Sequence, residues 1–372
     1  MVEEIITALS RNKQLFVIAR NSSFTFKGKA VDMKQVARDL RVRYVLEGSV
    51  RKAGNRIRIT GQLIDAASGT HLWADKYDGA LEDVFELQDQ IAASVVGAID
   101  PSVILAEMDR AERKPTSSLD AYDYYLRAVA AHWQYTRDAV DQAVGLYEHA
   151  IALDPQFAPA HARLAGALNT RKLWGWSTDP EADKSEAIAH AKTALRLGSQ
   201  DALVLALSAL VLANQSGEIE LADSLLDDAI RLDPNGITGW TWAGWTKGLL
   251  GDHQTAIDYL QRALKLNPLD PRIFFVQCGQ SFAHFFLGSY QEGLKCATDA
   301  LRHHPSWVLA LRATMACHAM LGDMEAAQKL WRQVAMLSPS DRVSEIRNWA
   351  FYRRDQDITK LQEACRLAGM PE

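Results

Sequence analysis

Between Tyr44 and Asp65 the chain alternates in character. Val50, Ile57, Ile59 and Leu63 interleave with Arg51, Arg58, Thr60 and Gln62, the period-two pattern of strands with one buried face. Gly54-Asn55 supplies a tight turn, since both residues tolerate positive φ. A hairpin centred there pairs Val50 with Ile59, Leu46 with Leu63 and Gly48 with Gly61. Its apolar face then carries a glycine pair. Glycine weakens a strand unless something approaches closely or the strand bends. The expectation is that a packed helix seats on the pair, with a bulge or a ligand at the backbone as alternatives.

The flanking pattern completes a small α/β domain over residues 1–115. Val2, Ile5, Ile6 and Leu9 mark a short amphipathic helix. The continuous apolar run Leu15 to Arg20 predicts a strand buried on both faces. Asp32 with Gln35 forms a capping-box start, and Val31 is placed to staple onto Val36, opening a helix that ends near Leu40. A third strand is expected at His71 to Tyr77 after a Ser68-Gly69 turn. A long helix follows from about Leu81, with Leu81, Val84, Phe85, Ile91, Val95 and Ile99 on one stripe and a break or kink at Pro101. The polar stretch Glu112 to Ser118 reads as a linker.

Beyond it one phrase recurs: a small residue, a bulky or apolar residue four on, a small residue three on, a proline five on. It runs Ala143, Tyr147, Ala150, Pro155; then Ala222, Leu226, Ala229, Pro234; then Ala256, Leu260, Ala263, Pro268. It continues as Gly293, Ala297, Ala300, Pro305 and Ala327, Trp331, Val334, Pro339, with a weaker copy at Ala187, Ala191, Ala194. The first positions are spaced 44, 35, 34, 37 and 34 residues apart. Small residues let two antiparallel helices approach, the bulky one fills the gap, and proline ends the unit. This 34-residue phrase resembles the tetratricopeptide repeat. The unit at 237–268 carries Trp240 and Gly244 where the family has them. Turns at Gly251-Asp252, Gly288-Ser289 and Gly322-Asp323 link first to second helices, and the stretch Thr170 to Pro180 reads as a loop extension. The array is expected over 119–340. Residues 341–372 would form a terminal cap of two helices, Val343 to Arg353 and Ile358 to Leu367.

The first helices of such a solenoid line its concave face. Candidate groove residues are Trp245, Cys278, Phe282, Phe286, Arg312 and Met320. The set is apolar and aromatic with one arginine, suited to a peptide or helix with apolar anchors. The competing reading is that several of them pack between repeats.

Composition narrows the partners. A chain of 372 residues, 48% hydrophobic, is long enough for a domain plus an array. The net charge of −5 argues against a general nucleic-acid binder. Residues 1–60 carry a net +8 and residues 61–114 a net −7, so the acidic helix is expected near the basic strands. Four cysteines without a CxxC fit buried thiols in a reducing compartment, hence a cytoplasmic location. The longest apolar run, Leu203 to Ala213, is too short to cross a bilayer, so no membrane span is expected. No HExxH, GxSxG or P-loop is present. His303-His304 reads as a helix C-terminal cap, and Cys296 and Cys317 as core. No catalytic constellation, cofactor or metal site is expected.

The segments FVIARNSSF, YVLEGSVRKAGNRIRITGQLIDAASGTHLWADKYD and EDVFELQDQI together resemble the TolB amino-terminal-like domain of bacterial signalling proteins. The resemblance implies an α/β domain ahead of tetratricopeptide repeats, often behind a class III adenylate or guanylate cyclase domain, sometimes behind a winged-helix DNA-binding domain. Domains of this family open with a further strand and a Phe-Ala-Asp-Gly-like turn before the helix that starts here. The expectation is a domain lacking its first strand, open at the edge beside Leu15–Arg20, in the C-terminal part of a longer protein or after a displaced start. The fold expected is α+β: a small α/β domain, then an all-α superhelical solenoid. The function expected is non-enzymatic: a signalling or scaffold module binding a protein or peptide partner, alternatively the C-terminal regulatory region of an adenylate cyclase family protein, fused to or associated with the cyclase domain, or a transcriptional-regulator fragment without its DNA-binding domain.

Overall fold

The computed structural model describes residues 2–13, 15–26, 32–80, 84–114, 119–268 and 270–372. The chain divides into two units, Met1–Ser118 and Leu119–Glu372.

The first unit is a three-stranded antiparallel sheet with helices. Helix α1 (Val2–Leu9) is followed by one turn, α2 (Arg20–Ser23), and by α3 (Met33–Leu40). Strands β1 (Tyr44–Ala53), β2 (Arg56–Asp65) and β3 (Thr70–Ala80) lie in the order β1-β2-β3. The hairpin register is the expected one, with Val50 opposite Ile59, Gly48 opposite Gly61 and Leu46 opposite Leu63. Gly54 takes φ 61° at the turn. Helix α4 (Val84–Arg113) continues through Pro101, so of the expected break or kink the break is absent. Ile5 and Leu9 of α1, Ile57, Ile59 and Leu63 of β2, and Ile91, Val95 and Ile99 of α4 share one core. Asp32 caps α3 by accepting from the Lys34 amide at 3.0 Å. The Val31 staple and Leu81 lie outside the described residues.

Three expectations fail here. Among the described residues no helix sits on the glycine pair. A Cβ on Gly61 would lie 3.1 Å from the Trp73 indole of β3, and one on Gly48 would lie 2.6 Å from the Thr60 carbonyl oxygen. The space is taken by a neighbouring ring and by the crossing strand itself. Leu15–Arg20 is not a strand, and Phe16 is 90% exposed. A lone segment without a pairing partner leaves its backbone groups unmet, so it gains nothing from the extended state. The outer half of β1 is also uncovered, with Val50 58% exposed. The expected charge complementarity does occur at one point: Glu107 of α4 accepts from Arg43 and from the Tyr44 hydroxyl beside β1. Within α4, Ile91–Arg113 is apolar and long enough by composition to cross a membrane, although Asp100, Pro101 and Glu107 interrupt its apolar run. Of its most apolar window, 53% is buried in this unit, as in the core helix of a globular domain.

The second unit is six helix pairs. The first helices are α5 (Ala121–His132), α7 (Ala158–Leu173), α9 (Ala202–Ser216), α11 (Ile237–Leu250), α13 (Ile273–Leu287) and α15 (Val308–Met320). The second helices are α6 (Arg137–Leu153), α8 (Pro180–Leu197), α10 (Ile219–Leu232), α12 (His253–Leu266), α14 (Tyr290–His303) and α16 (Met324–Leu337). The repeated phrase lies on the second helices. Ala143, Tyr147 and Ala150, and likewise Ala187, Ala191 and Ala194, are fully buried. Gly244 shows why the small positions matter: a Cβ there would lie 2.6 Å from Leu260 Cγ. Gly251, Gly288 and Gly322 close first helices or their turns at positive φ, as expected, and Gly217 does the same in the third pair.

The C-terminal segment differs from the expected helix Val343 to Arg353. A 3-10 helix spans Val343–Asn348, residues 349–354 are irregular, and α17 covers Asp355–Leu367. The Arg353 amide donates to the Leu249 carbonyl at 2.8 Å, and Arg354 donates to that of Gly251 at 2.7 Å. These bonds satisfy carbonyls at the C-terminal end of α11 and tie residues 353 and 354 to it.

Candidate functional site

The first helices of the repeats present side chains at helical spacing to one cavity. Trp242, Trp245 and Leu249 on α11 lie at i, i+3 and i+7, and Phe275 and Phe282 on α13 at i and i+7. Such spacing puts them on one stripe. The cavity measures about 690 Å³, within the usual range for ligand sites. Its walls come from the first helices α5, α7, α9, α11, α13 and α15, from the Trp174–Trp176 loop and from the returning segment Trp349–Tyr352. Six of the ten tryptophans line it.

The aromatic wall is held by ring contacts. Trp174 stacks on Tyr135 at 5.7 Å and on Trp307 at 5.7 Å. Phe274 and Phe275 meet Tyr135 edge-on, both at 5.3 Å. Tyr135 has φ 48°, a left-handed conformation that costs a bulky residue about 1–2 kcal/mol. The surrounding rings offset that cost and hold the side chain against the cavity. Burial pushes its phenol up to about 12. The expected loop extension is therefore a structural part of the site, because it delivers Trp174 and Trp176.

Polar groups sit among the rings. Arg272 donates to Asp270 at 3.0 and 2.9 Å. Burial would raise the Asp270 carboxyl, but the Arg272 charge and hydrogen bonds prevail and hold it below its ordinary value. Arg312 grips Asp341 with bonds of 2.8 and 2.6 Å and lies over the Trp349 ring at 4.1 Å. The Thr170 hydroxyl donates to the Gly166 carbonyl at 2.9 Å, so the His132 Nε2–H donates to Thr170 at 3.2 Å. That leaves His132 Nδ1 a bare acceptor with no partner. Burial, with the charges of Arg163 and Arg272, pushes the His132 imidazole down to about 3.

Of the six expected groove residues, Trp245, Phe282 and Arg312 line the cavity. Trp245 also packs, donating through Nε1 to the Phe275 carbonyl at 3.0 Å. Cys278 is fully buried in the solenoid core. Phe286 stacks on His253 at 4.8 Å and meets Tyr352 at 4.5 Å. Met320 packs partly buried on the same core. These three do not line the cavity. His304 ends α14 as expected and also contributes its ring to the wall. Tyr135, Arg163, Trp174, Trp176 and Trp307 went unforeseen. They sit in connecting turns or in first helices without the family phrase, and the abundance of tryptophan was the only available signal. Among the described residues no group of three or more His, Cys, Asp or Glu side chains could hold a metal ion.

A family model described as tetratricopeptide repeat matches residues 237–268, the unit with Trp240 and Gly244. The chain is 40% identical over 195 residues to "Putative adenylate cyclase 3" of Rhizobium meliloti (strain 1021), covering 52% of this chain and 33% of that protein. It is 25% identical over 236 residues to "Tetratricopeptide repeat protein 37" of Xenopus laevis, covering 61% of this chain and 14% of the other. The chain thus spans a third or less of the length of these curated relatives. Among solved structures, the Cut9-Hcn1 hetero-tetramer of the APC/C aligns at TM-score 0.50 and 18% identity, over 76% of this chain and 49% of that one. Fold, repeat phrase and family model agree: the second unit is a solenoid of tetratricopeptide repeats, and it follows a small three-stranded antiparallel sheet.

Proposed function

We propose that this chain is a non-enzymatic, regulatory protein-binding module whose solenoid groove receives a peptide segment of a partner. The observation that carries this reading is the aromatic-walled cavity of about 690 Å³ that draws on the first helices of successive repeats. An extended or helical segment with bulky anchors matches such a groove. The 40% identity to a protein named as a cyclase supports the cyclase-linked version over the transcriptional one: the module would regulate a cyclase domain fused to it or associated with it. The first unit is read as the TolB amino-terminal-like domain that accompanies such arrays, on the strength of its hairpin register and long helix. Four free thiols, three of them buried, suit a cytoplasmic setting.

The test is binding of the full chain to an array of acetylated hexapeptides bearing Trp, Leu or Phe anchors. Trp245→Ala and Phe282→Ala are each expected to weaken the best binders at least tenfold. Binding that both variants leave unchanged would sink the groove assignment.

A further inference from the structure

The first unit has a cavity of its own. Lys34 and Arg38 of α3, with Arg41 and Arg43 on the way into β1, line a cleft of about 650 Å³, within the usual range for ligand sites. Lys34, Arg38 and Arg41 stand at i, i+4 and i+7, on one stripe of the helix and its cap. The small side chains of Ala37, Ala66 and Ala67 leave the floor open. Among the described residues that line the cleft, none is acidic.

The carboxylates of these segments hold local hydrogen bonds. Asp39 accepts from the Gln35 side chain at 2.6 Å, and Asp65 accepts from the Ala67 and Ser68 amides at 2.8 and 3.1 Å. Glu107 answers Arg43 and is shared with Arg110. Arg38 donates to the neutral Gln35 amide oxygen at 2.6 Å. Lys34, Arg38 and Arg41 form no ion pair among the described residues. Lys34 and Arg38 are moreover a like-charge pair at i, i+4, which works against the helix that carries them.

Arg41 adds an independent sign. It takes φ 55° and ψ 43° at the end of α3, a left-handed position that glycine fills without steric cost. The turn itself needs no arginine, because its bond runs from the Val42 amide to the Ala37 carbonyl at 3.0 Å. The side chain is exposed. A residue held in a strained conformation that its turn does not require points to use of the side chain.

We propose that this cleft binds a small phosphorylated molecule with two or more phosphates, gripped by Lys34, Arg38 and Arg41. Guanidinium forks match phosphate oxygens and the ammonium adds a point charge. Three cations outside ion pairs exceed what one phosphate dianion balances, hence the second phosphate. The stripe spans about 10 Å of helix, too short a track for an extended polyanion, and the net charge of −5 opposes a broad anionic surface. Free pyrophosphate, a nucleotide and a sugar bisphosphate share this chemistry.

Isothermal titration of the full chain with pyrophosphate, ADP, ATP and a fructose bisphosphate tests this, with inorganic phosphate and adenosine as controls. At least one diphosphate or triphosphate is expected to bind roughly tenfold more tightly than inorganic phosphate, and the tightest arm identifies the carrier. Arg41→Gly is expected to weaken that binding roughly tenfold while leaving Tm unchanged or raised, since glycine relieves the left-handed strain. Arg51→Gln removes the same charge from the exposed outer half of β1 and is expected to leave the affinity within about twofold. Polyphosphates that bind no better than phosphate overturn the proposal. An equal loss in Arg51→Gln marks diffuse attraction and overturns it too. A lowered Tm for Arg41→Gly marks a cation that serves the helix end, and overturns it. Binding of phosphatidylserine vesicles or hexaglutamate, with none of the soluble phosphates, assigns the patch to a macromolecule and overturns it.

Discussion

In the second helices of the repeats the same three positions return from pair to pair. Ala143, Tyr147 and Ala150 do in the first pair what Ala256, Leu260 and Ala263 do in the fourth, and all are buried. In the first helices little returns. Trp242 and Trp245 on α11, Phe275 and Phe282 on α13, and Arg163 on α7 reach one cavity from unlike positions. The repeated residues face other helices of the array, where each junction poses the same packing problem. The unrepeated ones face the cavity, where each point poses a different one. Repetition here records what holds the solenoid, and variation records what it is shaped to receive.

The comparison breaks most severely if a cavity residue proves to be a structural keystone. Arg312 is such a case, because it lines the cavity yet is locked to a buried carboxylate. Arg312→Ala leaves Asp341 buried and unpaired, and is expected to cost about 3–5 kcal/mol in urea unfolding. On the repeating side, Leu260 is fully buried and fills the space over Gly244 and Gly279. Leu260→Ala is expected to cost about 2–5 kcal/mol by the same measurement, with the peptide preference of the groove unchanged.

A smaller effect follows pH. The folded pKa of His132 is about 3, below the unfolded value near 6.5. The unfolded chain takes up the proton first, so this contribution is fully present above pH 6.5 and is lost as pH falls toward 3. The loss is about 1.4 kcal/mol per pH unit, or about 2 kcal/mol at pH 5. His132→Gln is expected to flatten that part of a plot of unfolding free energy against pH. An unchanged slope would show that the imidazole titrates normally in the fold.

What could be read in advance follows the same division. The hairpin register was legible because alternation and a Gly-Asn turn leave few other pairings. The second helices were legible because small residues at fixed spacing have one packing use. The glycine pair misled because spacing cannot say whether a helix or the adjacent Trp73 fills the gap. Leu15 to Arg20 misled because apolarity alone does not supply a pairing partner. The cavity was half legible. Trp245, Phe282 and Arg312 were found by repeat phase, whereas Tyr135 depends on a left-handed turn and Trp174 on a loop that folds inward, and neither leaves a periodic trace. Cys278 and Phe286 lie one turn to either side of Phe282 on the same face of α13, but Cys278 is sealed in the core and Phe286 is covered by the His253 and Tyr352 rings.

The returning C-terminal segment changes how such a chain should come apart. In a linear array each repeat holds only its neighbours, so unfolding can begin at an end and run inward. Here Arg353 donates to Glu220, 133 residues away, and His253 pairs with Asp357, 104 residues away. The end of the chain is clasped to the third and fourth pairs. Peeling from the C-terminus must first release contacts near the middle of the array. The later pairs and the tail should therefore exchange their amide hydrogens as one cooperative block, more like a closed ring than like a ladder losing its last rung.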